Sequence, residues 1–122
     1  MHLACKEGCI SIVKYLIDQG AQIDPIDDDQ WTPLHYACSK GHLDIIELFY
    51  LNDSQDFSRM VSMTTRTQAT CLHLAVQHGD FAPVEFILNR ISNDLGKKLI
   101  NQLEQVFGTT LHIAGRISFE MN

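Results

Sequence analysis

The sequence predicts an all-α protein: a solenoid of stacked helix-turn-helix units, about three repeats plus the start of a fourth. Three observations predict it. The string TPLHYACSKGH (32–42) is echoed by HLACKEGC from His2, CLHLAVQHGD from Cys71 and TLHIAG from Thr110, which sets His2, His35, His73 and His112 at intervals of 33, 38 and 39 residues. Ala4, Ala37, Ala75 and Ala114, and Gly8, Gly41 and Gly79, keep the same register. An apolar stripe recurs after each glycine. A period of this size marks supersecondary units whose apolar flanks are buried only by stacking on neighbours.

Each element follows from local chemistry. Thr32 is a good N-cap, since its hydroxyl accepts from an orphan amide one turn on. Pro33 then occupies the first helical position, where a missing N–H costs nothing. Thr70 repeats the cap with Cys71 in the proline slot, and Thr109 repeats it with Thr110 there. Gly8, Gly41 and Gly79 end these short helices by taking a left-handed conformation. The second helix of each unit carries Ile12, Val13, Leu16 and Ile17, then Ile45, Ile46, Leu48 and Phe49, then Val84, Ile87 and Leu88. Such spacing lays an apolar stripe along one face. Asp80 is the expected cap of the third stripe, and Pro83 is tolerated because it falls in the first turn. Gly20 closes the second helix of the first unit.

A period of 33 with T-P-L-H-x-A is the pattern of ankyrin repeats, and residues 1–114 resemble that family. The resemblance divides the chain into repeat 1 (1–29, lacking its start), repeat 2 (30–52), an insertion (53–67), repeat 3 (68–91), a connector (92–107) and a partial repeat 4 (108–122). The chain opens and closes within a repeat, so a piece of a longer array with low stability in isolation is expected. The insertion is rich in Ser, Thr and Asp and is expected to be a mobile surface loop. In the connector, Asn93 or Asp94 is expected to cap a short helix running to about Ile100. Gln30 stands where the family usually has glycine; at positive φ it costs about 1 kcal/mol.

Composition excludes several function classes. Apolar residues make up 45% of the chain, enough for a core. Fifteen acids against nine bases give a net charge of −6, which disfavours a nucleic-acid backbone or an anionic membrane as the main partner. The longest apolar stretch, LDIIELFYL, is broken by Asp44 and Glu47, so no membrane insertion of this segment is expected. Cys5, Cys9, Cys38 and Cys71 show no disulfide spacing; a reduced, cytoplasmic compartment is the expectation.

The histidines and cysteines invite a metal, but equivalent histidines of stacked helices lie about 10 Å apart, too far to share an ion they must all approach to about 2 Å. Each histidine instead reads as a tie between its loop and neighbouring backbone. Cys5 and Cys38 read as buried packing; Cys9 and Cys71, at turn positions, are the candidates for a reactive thiol. Asp27, Asp28 and Asp29 lack the alternating spacing and distal glutamate of a calcium loop and read as a solvated acidic finger. Phosphate-binding glycine motifs and a nucleophile–base–acid set are absent from the sequence. No catalytic residue, metal or cofactor is expected. Trp31 is either structural or an exposed aromatic anchor of the kind that dominates interfaces.

What the family resemblance implies is a non-catalytic binding surface or scaffold. Its recognition positions map onto Lys6 and Glu7, Ser39 and Lys40, Gln77 and His78, with the finger residues Asp28, Asp29 and Trp31 in repeat 2 and Arg66, Thr67 and Ala69 in repeat 3. The implied partner is another protein or an adjacent domain of the same parent chain, gripped by turn tips and the concave face. GAQIDP (20–25), HLAVQHGD (73–80) and the LINQ…FGTTLHIA run (99–114) also resemble the ankyrin region of transient receptor potential channels of the ankyrin subfamily. That implies, as an alternative, a piece of the cytoplasmic regulatory region of a cation channel.

Overall fold

The structure, a computed structural model, describes residues 1–79 and 81–107. Among them run eight helices and no strand: α1 His2–Glu7, α2 Ile10–Asp18, α3 Pro33–Ser39, α4 Leu43–Asn52, α5 Ser54–Ser62, α6 Cys71–His78, α7 Ala82–Arg90 and α8 Asn93–Phe107. Helix α3 packs between α1 and α6, and α4 packs between α2 and α7, so two rows of helices run side by side. The predicted stack of helical hairpins is the observed architecture.

The caps form as the residue types dictate. Thr32 Oγ1 accepts from His35 N–H at 3.2 Å, and Thr32 N–H donates to His35 Nδ1 at 2.9 Å. Thr70 and His73 make the same reciprocal pair at 3.4 and 3.0 Å. This is a capping box in which histidine takes the place usually held by glutamate or glutamine. Pro33 starts α3 and Pro83 lies in the first turn of α7, as expected. Gly8, Gly41 and Gly79 have φ of 75°, 72° and 87°. At Gly8 a second constraint applies, because a Cβ there would stand 2.6 Å from Cε1 of His42.

The stripes meet in one core. Ile45, Ile46 and Phe49 of α4, and Val84 and Ile87 of α7, are fully buried with Leu34, Ala37 and Cys38 of α3 and Leu72 and Ala75 of α6. Each large apolar side chain so buried contributes about 1.5–3 kcal/mol. In α2 the stripe is only partly covered: Val13 is buried, but Ile12 is 51% exposed. Ile12 corresponds in register to Ile45, which is fully buried in α4, the helix packed between α2 and α7; α2 has no described helix on its other side to cover Ile12 in the same way.

Two connecting segments depart from expectation. Residues 53–67 are not simply a mobile surface loop: α5 occupies Ser54–Ser62 and packs against α4 and α6. Asp53 caps it, its Oδ1 accepting from the N–H groups of Gln55 and Asp56 at 3.1 and 3.0 Å. Phe57, Met60 and Val61, spaced by three and one, bury its inner face. Arg59 on its outer face pairs with Asp56 and reaches back to Asp24. In the connector, α8 runs seven residues beyond the expected end at Ile100, to Phe107. Ser92 rather than Asn93 or Asp94 caps it, with Oγ accepting from Leu95 N–H at 3.3 Å. Leu99, Ile100 and Leu103 are buried and extend the stripe that holds the helix down. Asp80, the Thr109 cap, His112 and Ala114 lie outside the described residues.

Candidate protein-binding surface

The site candidates fall into two groups, one at helix ends and one on the turns that precede α3 and α6. Lys6 and Glu7 end α1, Ser39 and Lys40 end α3, and Gln77 and His78 end α6. These are equivalent ends of three helices that stack in order, and all six residues except half-buried Ser39 are exposed.

The turns are two fingers built to one plan. In the first, Asp27 N–H donates to Trp31 O at 3.1 Å, Gln30 N–H to Asp27 O at 2.9 Å, and Trp31 N–H to the Asp27 carboxylate at 2.9 Å. In the second, 38 residues on, Thr65 N–H donates to Ala69 O at 2.9 Å, Gln68 N–H to Thr65 O at 2.9 Å, and Ala69 N–H to the Thr65 hydroxyl at 3.2 Å. Gln30 and Gln68 occupy the same left-handed position, with φ of 62° and 65°. Gln30 thus carries the anticipated backbone cost, and Gln68 carries it again.

The fingers are joined to each other and to the helices. Arg66 N–H donates to Asp29 O at 2.9 Å, and the Arg66 guanidinium donates to Asp28 O. His2 Nε2 lies 2.9 Å from Pro25 O and 3.0 Å from Trp31 O. His35 Nε2 reaches Met63 O at 3.1 Å, and His73 Nε2 reaches Gln102 O at 3.2 Å. With Nδ1 accepting from the cap N–H, Nε2 of His35 and His73 carries the proton and donates. Burial lowers the pKa of both rings, more than the bond to Met63 or Gln102 raises it, which keeps them neutral. The expected tie from each histidine to neighbouring backbone is therefore present at all three described positions. His42, outside that series, adds another, with Nε2 at 3.2 Å from Lys6 O.

Asp27 departs from its expected place. It is not part of a solvated acidic finger. Its carboxylate accepts from Asp29 N–H at 3.0 Å, from Trp31 N–H and from Tyr36 Oη. Desolvation pushes its pKa up, but these hydrogen bonds, Tyr36 foremost, hold it below the ordinary value. The same bond pushes the Tyr36 phenol up to about 12. Asp28 and Asp29 remain exposed. The available signal was Asp at the start of a tight turn, where its side chain commonly binds amides two residues on.

Trp31 is half-buried, its ring 4.8 Å from Tyr36 and 6.2 Å from His35. It packs on the core as well as bordering the finger. Arg66 and Thr67 are exposed and Ala69 is half-buried. Cys71 is buried, which removes it as an accessible thiol, and burial holds the Cys38 thiol well above its ordinary pKa. Burial pushes the Cys5 thiol up to about 12. Among the described residues no three His, Cys, Asp or Glu come close enough to hold a metal ion, and no helix is long and apolar enough to cross a membrane.

Comparison with known proteins agrees with this geometry. Residues 1–49 match the family model described as ankyrin repeats (many copies), which bears out the resemblance read from T-P-L-H. A stretch of 46 residues, 38% of the chain, is 46% identical to glycerophosphocholine phosphodiesterase GDE1 of Candida albicans and spans 4% of it. Over 77 residues, 63% of the chain, it is 32% identical to the probable 26S proteasome regulatory subunit p28 of Saccharomyces cerevisiae and spans 32% of that protein. Over 75 residues, 62% of the chain, it is 32% identical to transient receptor potential cation channel subfamily A member 1 of Drosophila melanogaster, of which it spans 6%. The chain thus spans a minor part of each of these relatives.

Proposed function

We propose, from the ankyrin repeats that residues 1–49 carry, that this chain is a non-catalytic module that binds another protein, or an adjacent domain of its parent chain. The contact residues are Lys6, Glu7, Ser39, Lys40, Gln77 and His78 at the helix ends and Asp28, Asp29, Trp31, Arg66, Thr67 and Ala69 on the fingers. One observation carries the reading: the bond from Arg66 N–H to Asp29 O locks two fingers of identical plan in register beside stacked helices whose ends are exposed. Binding to a prefixed surface avoids much of the ordering cost that a flexible loop incurs. The polar side chains inside the stack serve caps and loop ties, which supports a binding rather than a catalytic role. A cytoplasmic setting belongs to the same proposal.

The test is capture of partners on the immobilised chain beside a Lys40→Ala, Arg66→Ala, Gln77→Ala variant of equal thermal stability. Proteins retained by the parent and lost by the variant are expected. Equal retention on both would refute the surface.

A second reading, a piece of the cytoplasmic regulatory ankyrin region of a cation channel, is favoured by the 32% identity to the Drosophila channel over 75 residues. Transcripts covering this segment are then expected to encode apolar spans of about 20 residues downstream; transcripts without them would remove this reading and leave the first.

A further inference from the structure

We infer that the outer face of α4 and α7 is a two-fold contact between two copies of this chain. This goes beyond the partner-binding reading and uses other residues. The fingers and helix ends belong to the row of α1, α3 and α6, whereas this face lies on the row of α2, α4 and α7. Leu51 marks it. It is 78% exposed, the most exposed large apolar side chain among the described residues. Stacking between repeats does not account for that exposure. Helix α4 has α2 on one side and α7 on the other, so both flanks are covered, and Leu51 stands off from each. It forms a ridge between two recesses. One, of about 220 Å³, is lined by Glu47, Tyr50, Leu51, Phe86 and Arg90. The other, of about 500 Å³, is lined by Tyr50, Leu51 and residues 52–55.

The first recess carries one acid and one base on its rim. Glu47 and Leu51 are four residues apart on α4, and Phe86 and Arg90 four apart on α7, so each pair shares a helix face. Tyr50 and Phe86 meet edge to face at 5.9 Å and floor the recess. The Arg90 guanidinium lies 4.4 Å from the centre of the Phe86 ring and 5.7 Å from that of Tyr50. Stacking on the rings orients it, and among the described residues neither Arg90 nor Glu47 forms an ion pair. A two-fold contact sets a patch against its own inverted copy, so each feature needs its complement within that patch. Here both complements are present. The Leu51 ridge of one copy meets the aromatic-floored recess of the other. Truncating one leucine in a packed core opens about 150 Å³, so the recess is large enough to take it. Inversion also sets Glu47 of each copy against Arg90 of the other, which makes two ion pairs. A guanidinium already held in place loses little freedom on pairing. The contact is small and the net charge of −6 on each copy opposes it, so the dimer is weak and reversible.

Sedimentation equilibrium of the full chain tests this, run from about 1 μM to about 1 mM, the range in which weak contacts dissociate. The average mass is expected to rise from that of the monomer towards twice that value. Leu51→Asp, at an exposed position, is expected to keep the thermal midpoint of the parent and to stay monomeric throughout. Glu47→Arg and Arg90→Glu are each expected to weaken the dimer about tenfold, because like charges then meet at both crossings. Mixed in equal amounts, those two variants are expected to pair with each other, since both crossings then join opposite charges. That rescue separates the contact from any loss of folding in Arg90→Glu, which gives up the stacking on Phe86. A parent that stays monomeric to about 1 mM would overturn the contact. So would a Leu51→Asp variant that dimerises like the parent, or a mixture that associates no more tightly than its separate components.

Discussion

His35 donates Nε2–H to the carbonyl of Met63, 28 residues ahead, at 3.1 Å, while its Nδ1 receives the N–H of Thr32. One ring closes a helix cap and pins the next loop, and it does both only as the neutral imidazole.

Removing that ring has a calculable cost. In His35→Ala, Met63 O and Thr32 N–H both lose partners in a buried setting, and a cavity remains. A loss of about 3 kcal/mol is expected, read as a lowered urea midpoint with an unchanged slope. A loss within about 0.5 kcal/mol, the range of an ordinary surface change, would show that the two bonds are not linked through the ring.

Acid should destabilise the fold early. Burial lowers the pKa of His35 and His73 below 6.5. Between those lowered values and 6.5 the unfolded chain binds more protons than the folded one, so stability rises with pH there. The histidine contribution is complete above about 6.5 and is lost as pH falls through the folded values. The urea midpoint should drop as the pH falls below about 6.5, and less so in His35→Gln, whose side chain does not titrate. A midpoint flat across that range would contradict neutral buried rings.

The two strained glutamines offer a stabilising change. Gln30 and Gln68 hold φ of 62° and 65°, a region that glycine enters freely. Gln30→Gly and Gln68→Gly should each add about 0.5–1 kcal/mol, the relief of left-handed strain less the extra freedom glycine has when unfolded. Thermal melts of the single and double variants test this, with near-additive gains expected because the sites share no hydrogen bond in the structure.

Two glycines with similar φ should respond differently. A Cβ at Gly79 meets nothing within 4 Å, whereas at Gly8 it meets the His42 ring. Gly79→Ala should cost about 1 kcal/mol from backbone strain alone. Gly8→Ala should cost more, and His42→Ala should recover part of the excess. A double-mutant cycle with no coupling between positions 8 and 42 would place the His42 ring elsewhere.

Phe57 tests whether the insertion is folded. Its side chain is fully buried in α5, 5.4 Å from Tyr50 and 6.4 Å from Phe86 between ring centres. Phe57→Ala should cost about 3–5 kcal/mol, the cost of an aromatic cavity. A near-neutral variant in chemical denaturation would return these residues to the status of a surface loop.

The sequence by itself determined the repeat, the threonine caps, the left-handed glycines and the role of the histidines as loop ties. Each of these is written within a few residues, in a hydroxyl one turn from an amide or an apolar spacing of three and four. The stripe of Phe57, Met60 and Val61 is equally legible, but it stands among Ser, Thr and Asp, whose composition is that of a surface loop. Tertiary structure decided the rest. Ile12 and Ile45 hold one register, yet one is half exposed and the other buried, because burial depends on what stands beside a helix and not on its own period. The same holds for the Asp27 carboxylate claimed by Tyr36, and for the closeness of His42 to Gly8. It holds above all for the register of the fingers, which Arg66 fixes by donating its N–H to Asp29 O, 37 positions back, and its guanidinium to Asp28 O.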